Sequence, residues 1–360
     1  MNITFLIGNG FDLNLGMKTK YSDFLEYYTH SDRKRTALIE DFAQNILQEK
    51  PLWSSAEVAF GEYTSHFNGV DKTVEDFCDC HEDFCVCLAK YLEKEQSHVD
   101  LVHPDYGKKF INAISSLTKG FRDESSSSIN EAMDRFGNGI KYNFISFNYT
   151  HTLDQLFEQA KESPEIGKRL FYNNYFQNSI DQIVHAHGHT DRDMVLGVNN
   201  VSQIKNAELF ENQDEEYLNQ IIKQKTNHVN ERYTDDIAND LISISEVIYI
   251  YGMSIGETDA IWWERICDRL INNSNCILIV HAFDAPPDGL IRRKYRMFEH
   301  KRKNDILKYA RTGDETKKEL LHQIFITGEN IFAEFSNLAP EHDSVTELIS
   351  QDRLENLLYF

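Results

Sequence analysis

Five short apolar runs, each ended by glycine or by polar residues, constrain the fold of this chain more than any other feature. The runs are ITFLI (3–7), YNFISF (142–147), IVHAHG (183–188), EVIYIYG (246–252) and CILIVHAF (276–283). They are rich in β-branched and aromatic residues, and helical stretches separate them, a pattern typical of buried parallel strands. We therefore predict an α/β protein built on a parallel sheet.

Two segments between the predicted strands are longer than an ordinary crossover connection. The first, from about residue 30 to about 138, has helical periodicity and is predicted to be a helical insertion, in which SSSS (125–128) is interpreted as a loop. The second, at about 199–235, is acidic and rich in Asn and Gln. With 41% hydrophobic residues, residues 1–360 can bury enough core for a single domain that carries both insertions.

The charge and cysteine content of the chain exclude several classes of protein. A net charge of -21 repels a phosphate backbone, so we expect no nucleic-acid partner. The basic cluster within 292–303 is interpreted as a solvated helix face. No run has the layout of a signal peptide or the length of a membrane span, so we expect a cytoplasmic protein without a membrane partner. Six unevenly placed cysteines are typical of reduced thiols.

The first predicted strand ends in a Gly-x-Gly turn, within FLIGNGFD (5–12). Glycine lets the backbone turn sharply and come close to a ligand, which is how many loops bind phosphates. The dinucleotide-binding fingerprint needs a third glycine, however, and Leu13 stands at that position. Taken alone, the turn is either a nucleotide-binding loop or a plain connection between strand and helix.

Polar residues follow four of the predicted strands. In an open parallel sheet the carboxyl ends of the strands meet at one edge, where ligands bind, so these residues are predicted to converge. They are Gly8, Asn9, Gly10 and Asp12; Asn148, Tyr149 and Thr150; His185, His187, Gly188 and His189; and Gly252, Ser254, Gly256 and Asp259.

Four segments in this order resemble the AbiH family of bacterial phage-abortive-infection proteins. They are FLIGNGFDLNLGMKTKYSDFL, FISFNYTHTLDQLF, HAHGH and IYIYGMSIGETDAIWW. The resemblance covers most of the chain and implies a role in phage defence. A phage-derived trigger and a homo-oligomer stay open.

The strand ends also resemble a sirtuin-type NAD-binding domain. This resemblance implies that Gly8 and Gly10 approach a pyrophosphate, that Asn148 holds a water or a ribose hydroxyl, and that His187 is the catalytic histidine. Gly252 and Ser254 would line the ribose end. The chain departs from the pattern at Asp12, Thr150 and His281. The residues assigned to NAD are Gly8, Asn9, Gly10, Phe11, Tyr149, Gly252, Ser254 and Asp259.

Residue types at these positions suit cleavage of the bond between nicotinamide and ribose. The nicotinamide ring is already cationic when bound to the ribose and leaves as a neutral molecule without needing a proton, so His187 as base and Asn148 as positioning group would suffice. Asp12, with Asp259 behind it, would stabilise the developing positive charge; alternatively Asp12 caps a helix or binds ribose hydroxyls. We therefore predict a nucleotide hydrolase acting on NAD or a related nucleotide; the alternative is a non-catalytic nucleotide-binding sensor or interaction protein. A nuclease fits the charge poorly.

Two segments, one rich in histidine and one rich in cysteine, contain residue types that bind metal ions. HAHGH would place His185, His187 and His189 on one side of an extended segment, near Asp191. Because Gly188 interrupts the segment and no zinc spacing is matched, no metal is expected. The second segment carries Cys78, Cys80, Cys85 and Cys87 within FCDCHEDFCVCLAKYL. Its apolar residues recur at helical intervals, which predicts a structural helix because one helix cannot bring four sulfurs around one ion.

Glu57 follows Trp53 in the first insertion. AbiH-like chains often carry a Trp followed by an acid in this region, which raises a role for Glu57 in the cleft. We interpret Glu57 as a structural residue.

Overall fold

The computed structural model describes residues 1–31, 33–53, 55–212, 215–229, 233–287 and 292–340. Within these residues the strands are β1 (Asn2–Ile7), β2 (Lys141–Ser146), β3 (Lys168–Phe171), β4 (Asn174–Gln177), β5 (Ser179–His185), β6 (Val247–Tyr251), β7 (Ile277–His281) and β8 (Ile324–Thr327).

The α-helices of the same residues lie mostly between β1 and β2 and between β5 and β6. They are α1 (Gly10–Asn14), α2 (Tyr21–His30), α3 (Ala37–Gln48), α4 (Lys50–Trp53), α5 (Ala56–Tyr63), α6 (Val74–Ser97), α7 (Tyr106–Ser115), α8 (Asp123–Asp134), α9 (Thr152–Lys161), α10 (Ala207–Glu211), α11 (Glu215–Ile221), α12 (Lys223–Val229), α13 (Thr234–Ile244), α14 (Ala260–Asn272), α15 (Arg293–Leu307) and α16 (Asp314–Leu320). None of the described helices combines the length and the apolar character needed to cross a bilayer.

Six strands form one parallel sheet in the order β5-β2-β1-β6-β7-β8. Counted along the chain, this is the order 3-2-1-4-5-6 of the doubly wound dinucleotide-binding folds, although the glycine fingerprint of those folds is missing. The order reverses between β1 and β6. The prediction of an α/β protein with a parallel sheet and large helical insertions is confirmed, and each of the five predicted strands overlaps a strand of this sheet.

Strands β3, β4 and β8 were not predicted. Strands β3 and β4 form an antiparallel hairpin whose two-residue turn, Tyr172 and Asn173, has positive φ at both positions (42° and 62°). Turns of this kind are normally signalled by glycine, which is absent here. Strand β8 has only four residues and lies at the edge of the sheet, so its apolar run was too short to separate from the surrounding helical pattern.

Residues of β1 alternate between the two faces of the sheet. Phe5 packs into a core with Phe110 of α7 and Phe157 of α9, whereas Leu6 packs on the other face with Ile242 of α13 and Trp263 of α14. Helices therefore cover both faces, which is why the inner strands β1, β6 and β7 are mostly apolar rather than alternating.

A third core joins the two predicted insertions. Helices α2, α3, α5 and α6 pack with α10 and α11 in one aromatic-rich cluster. In it Phe84 lies 4.9 Å from Phe24 and 5.1 Å from Phe60, measured between ring centroids, with edge-on geometry. We call this unit the cap. Helices α7 and α8 instead pack on the sheet, through Phe110 and Ile129.

Two local predictions within the first insertion had opposite outcomes. The loop predicted for SSSS is wrong, because these serines lie inside α8, whose Ile129 and Ala132 are buried against the sheet core. The helix predicted for the cysteine-rich segment is confirmed as α6, which begins with a capping box between Thr73 and Asp76. Burial raises the pKa of the Cys80 thiol to about 12, so this thiol stays protonated near neutral pH.

Candidate functional site

A cavity of about 380 Å³ lies between the carboxyl ends of the strands and the cap. It is at the switch point between β1 and β6, where the chemistry of doubly wound folds is usually found. The cavity is lined by Gly8, Asn9, Asp12, Thr19, Tyr21, Ser55, Glu57, Leu88, Leu92, Phe147, Asn148, Tyr149, Thr150, His187, Gly252, Met253, Ser254, Thr258 and Asp259. The structure thus brings together Thr150 and all the residues assigned to catalysis or to NAD except Gly10 and Phe11. Of the other residues predicted to converge, His185, Gly188, His189 and Gly256 are not among those that line the cavity.

The glycines of the opening turn pack directly against Gly252, in the loop that follows β6. The Gly8 amide donates a hydrogen bond to the Tyr251 carbonyl (2.9 Å), and the Gly10 amide donates to the Gly252 carbonyl (3.0 Å). A Cβ atom on Gly10 would lie 2.4 Å from the Cα of Gly252, closer than any real contact. Gly252 itself has a φ of +72°, a conformation that other residues avoid. These glycines therefore let two backbone loops touch.

The rest of the opening loop is also tied to the protein. Phe11 is fully buried and packs edge-on against Phe332, with ring centroids 5.2 Å apart, so it belongs to the core below the cavity. The Asn9 side chain lines the cavity but accepts a hydrogen bond from the Thr19 hydroxyl and donates one to the Thr19 carbonyl (2.9 Å). Asn9 thus holds the connection between α1 and α2 in place.

Asp12 joins the loop after β1 to the loop after β2. Its two carboxylate oxygens accept hydrogen bonds from the hydroxyls of Thr150 (2.7 Å) and Thr152 (2.6 Å). Burial raises the pKa of Asp12 to about 6, although both hydroxyls and the nearby Asn148 amide favour the charged form. The carboxyl group is therefore mostly ionised at neutral pH and partly protonated in mild acid.

The pKa of Asp12 predicts a pH dependence of stability. Because the folded protein holds this proton more tightly than the unfolded chain, the contribution to stability is complete below pH about 4 and is lost as the pH rises through about 6. Relative to Asp12→Asn, which cannot titrate, the wild type should lose about 3 kcal/mol of unfolding free energy between pH 4 and pH 7. Urea unfolding of both proteins across this range measures it. A constant difference would contradict the assignment.

Asn148 lines the cavity with a side-chain amide whose hydrogen-bonding capacity is not satisfied by the described residues. The residue is 4% exposed, and although its amide is near enough to Asp12 to favour the charged carboxylate, neither its Oδ1 nor its Nδ2 makes a hydrogen bond of normal geometry with any described residue. Its backbone amide donates to the Ser146 hydroxyl at 3.3 Å, which orients the residue at the end of β2. A buried amide without partners is costly unless a ligand or water satisfies it.

His187 lines the same cavity and is held between two aromatic rings. Its ring centroid is 5.5 Å from that of Phe147, edge-on, and 6.1 Å from that of Tyr149. The Tyr149 hydroxyl donates to the Val195 carbonyl (3.1 Å), while the Val195 amide donates to the His187 carbonyl (2.8 Å). Backbone and ring contacts therefore fix the direction in which the imidazole points.

His185 and His189 do not share the cavity with His187. Strand β5 ends at His185 and the chain turns at once, so the alternation of an extended strand does not continue to His187. The prediction that the three histidines face one way is therefore wrong. His185 and His189 instead contact each other, with ring centroids 3.8 Å apart.

The side of the cavity formed by the cap and the loop after β6 is acidic. Glu57 forms an ion pair with Lys223 of the second insertion, with 2.5 Å between Oε1 and Nζ, and both side chains are almost buried. Asp259 accepts a hydrogen bond from the Ser254 hydroxyl (3.1 Å). Burial raises the pKa of Glu57 and of Asp259, and the Lys223 charge lowers both. Glu57 was interpreted as structural, and nothing local in the sequence singled out Lys223.

The Glu57–Lys223 pair supports a second prediction. Glu57→Gln should cost about 3–5 kcal/mol of unfolding free energy, because it leaves the Lys223 ammonium buried without a counter-charge. Adding Lys223→Met should recover most of this loss. The exposed pair of Lys205 and Glu62 (3.2 Å) is a matched control; Glu62→Gln should cost less than about 1 kcal/mol. Urea unfolding measures the wild type and the three variants, and an equal cost for Glu57→Gln and Glu62→Gln would contradict the prediction.

Comparison with known families adds one finding. The family model described as "Bacteriophage abortive infection AbiH" matches residues 4–281, which is more than half of the chain. The matched span runs from within β1 to the end of β7 and includes every residue that lines the cavity. No curated protein matches the chain.

Proposed function

The chain belongs to the AbiH family of bacteriophage abortive infection proteins, and from that premise we propose that its cavity binds NAD or a related nucleotide and hydrolyses the bond between base and ribose. The observation that carries the proposal is the buried Asn148 amide, whose polar atoms complete no hydrogen bond within the described residues. It lines one cavity with His187 and Asp12. A ribose hydroxyl or the attacking water would satisfy this amide.

In the proposed reaction, a water oxygen attacks the ribose carbon as the bond to the cationic nicotinamide ring breaks. The ring leaves with the bonding electron pair, so no acid is needed at the leaving group. His187 accepts the proton that the water loses, and Asn148 positions that water. The ionised Asp12 stabilises the positive charge that develops on the ribose. The hydroxyls of Thr150 and Thr152 suit this role, because their hydrogen bonds favour the charged carboxylate and hold it in place.

The polarity of the cavity supports binding of the ribose and the base there rather than of the pyrophosphate. Asp12, Glu57 and Asp259 all line it, and carboxylates repel phosphate but accept hydrogen bonds from ribose hydroxyls and favour a cationic ring. The amides of Gly8 and Gly10 already bind carbonyls, so they are not available to a phosphate. A volume of about 380 Å³ is within the range of small-molecule sites, about 300–1,000 Å³.

Incubation of the purified protein with NAD, followed by chromatography of nicotinamide and ADP-ribose, tests the proposal. Equal amounts of both products are expected. Absence of products together with thermal stabilisation by NAD or ADP-ribose would replace the hydrolase with a non-catalytic nucleotide sensor. Absence of both signals would overturn the assignment of the cavity to NAD.

A further inference from the structure

A cluster of imidazoles lies at the ends of β2 and β5, outside the set of residues that line the cavity. His151 and His189 stack with ring centroids 4.2 Å apart and nearly parallel planes, and the His185 ring lies 3.8 Å from that of His189. Asp154, in the first turn of α9, approaches from the side, and its Oδ1 is 3.0 Å from Nε2 of His185. The residues come from two separate segments, 151–154 and 185–189.

Two atoms of this cluster point to a missing ligand. Oδ2 of Asp154 and Nδ1 of His189 are buried, and neither has a hydrogen-bond partner among the described residues. Nδ1 of His151 lies 3.9 Å from Oδ2 of Asp154, too far for a hydrogen bond. One ligand atom from each of His151, Asp154 and His189 can be chosen so that all three lie within 4.8 Å of one another.

We propose that His151, Asp154 and His189 bind a divalent transition-metal ion of the zinc class. Two imidazole nitrogens and one carboxylate oxygen are a donor set that such ions accept, with further positions left to water. Metal ligands lie about 2.0–2.2 Å from zinc, so modest side-chain rotation would close the present spacing.

The surroundings of the three ligands resemble the outer shell of metal sites. Asp191 lies 3.0 Å from Nε2 of His151 and His185 lies 3.0 Å from Asp154, so each of these ligands is oriented by a hydrogen bond on the side away from the ion.

This site differs from the one that the sequence argues against. The HAHGH motif contains His185, His187 and His189, whereas in the structure His187 lines the cavity and His189 lies with His151 and Asp154 of the other segment. A bound ion would join the loop after β2, which carries Asn148 and Thr150, to the segment after β5. It would thus stabilise the wall of the cavity without contacting a nucleotide, so the proposal does not depend on the reaction proposed above.

Zinc binding by the full chain, stripped with a chelator and equilibrated with Zn²⁺ by dialysis, tests the proposal. The wild type should bind one ion per chain at this site and melt at a higher temperature with the metal. His189→Ala should weaken zinc binding by at least about 100-fold, since loss of an outer-shell partner alone typically costs about 10- to 100-fold. His151→Ala, at a position where the side chain is 34% exposed, should do the same and covers the case in which His189→Ala does not fold.

Two control variants separate this site from other histidines and thiols. His322→Ala should leave zinc binding unchanged, because His322 precedes β8 at the opposite edge of the sheet. Cys85→Ser should likewise leave zinc binding unchanged. This variant tests whether zinc binds instead to the pair formed by Cys85 and His81, whose Sγ and Nε2 are 3.8 Å apart. The proposal is overturned if the wild type binds no zinc, or if zinc binding survives both His189→Ala and His151→Ala.

Discussion

Asn148→Ala and His187→Ala are each expected to lower kcat for NAD cleavage by about 100- to 10,000-fold, the usual contribution of a positioned base or polar group. Affinity for the nucleotide should change much less, because the acidic side of the cavity remains. Product formation under single-turnover conditions and nucleotide binding by calorimetry measure the two effects separately.

The stability of Asn148→Ala distinguishes a functional amide from a structural one. Because neither amide atom completes a hydrogen bond among the described residues, its removal should leave the melting temperature unchanged or raise it. Asn143 is a matched control: it is also buried and its amide also lacks partners there, but it lies inside β2, away from the cavity. Asn143→Ala should keep turnover. Turnover that survives Asn148→Ala and His187→Ala would remove both residues from the reaction.

Gly10→Ala is expected to destabilise the protein by about 3 kcal/mol or more, which corresponds to a melting temperature lower by at least roughly 4 °C. The new Cβ would lie 2.4 Å from the Cα of Gly252, and a backbone atom cannot move aside as a side chain can. The hydrogen bond from the Gly10 amide to the Gly252 carbonyl would be strained as well.

Gly313→Ala provides the control, because a Cβ at Gly313 meets no described atom within 4 Å and the residue has an ordinary extended backbone. It should leave the melting temperature nearly unchanged. If the opening turn served only to bring a phosphate close, Gly10→Ala would instead melt like the wild type and lose nucleotide binding. Thermal unfolding of both variants without ligand decides between packing and phosphate binding.

The fold was largely predictable because apolar runs and their spacing are local properties. A strand buried on both faces is mostly apolar, so β1, β2, β6 and β7 stood out, whereas only the apolar end of the edge strand β5 did. The serines of α8 were misjudged because their helix is stabilised by Ile129 and Ala132 packing on the sheet, not by its polar residues. The hairpin was missed because its turn lacks glycine.

The position of the site could be predicted from the sequence, but only some of the contacts of its residues could. Polar residues at strand ends had to converge, and most of those predicted line the cavity. Phe11 and Gly10 lie within the turn and were therefore predicted to contact a ligand. In the structure Phe11 packs against Phe332 and Gly10 packs against Gly252, so neither residue lines the cavity. Glu57 also lines the cavity, and its ion-pair partner Lys223 lies in the other insertion.

The sequence by itself therefore determined the parallel sheet and the edge of it where polar residues meet, since both follow from patterns within short segments. Only the tertiary structure decided the contacts that give those residues their properties. One of the two hydroxyls that donate to Asp12 belongs to Thr152, 140 positions later in the chain. Gly10 contacts Gly252 only because β1 and β6 are neighbours in the sheet. The imidazole cluster likewise needs two separate segments. Such contacts depend on the path of the chain between segments, which no local pattern encodes.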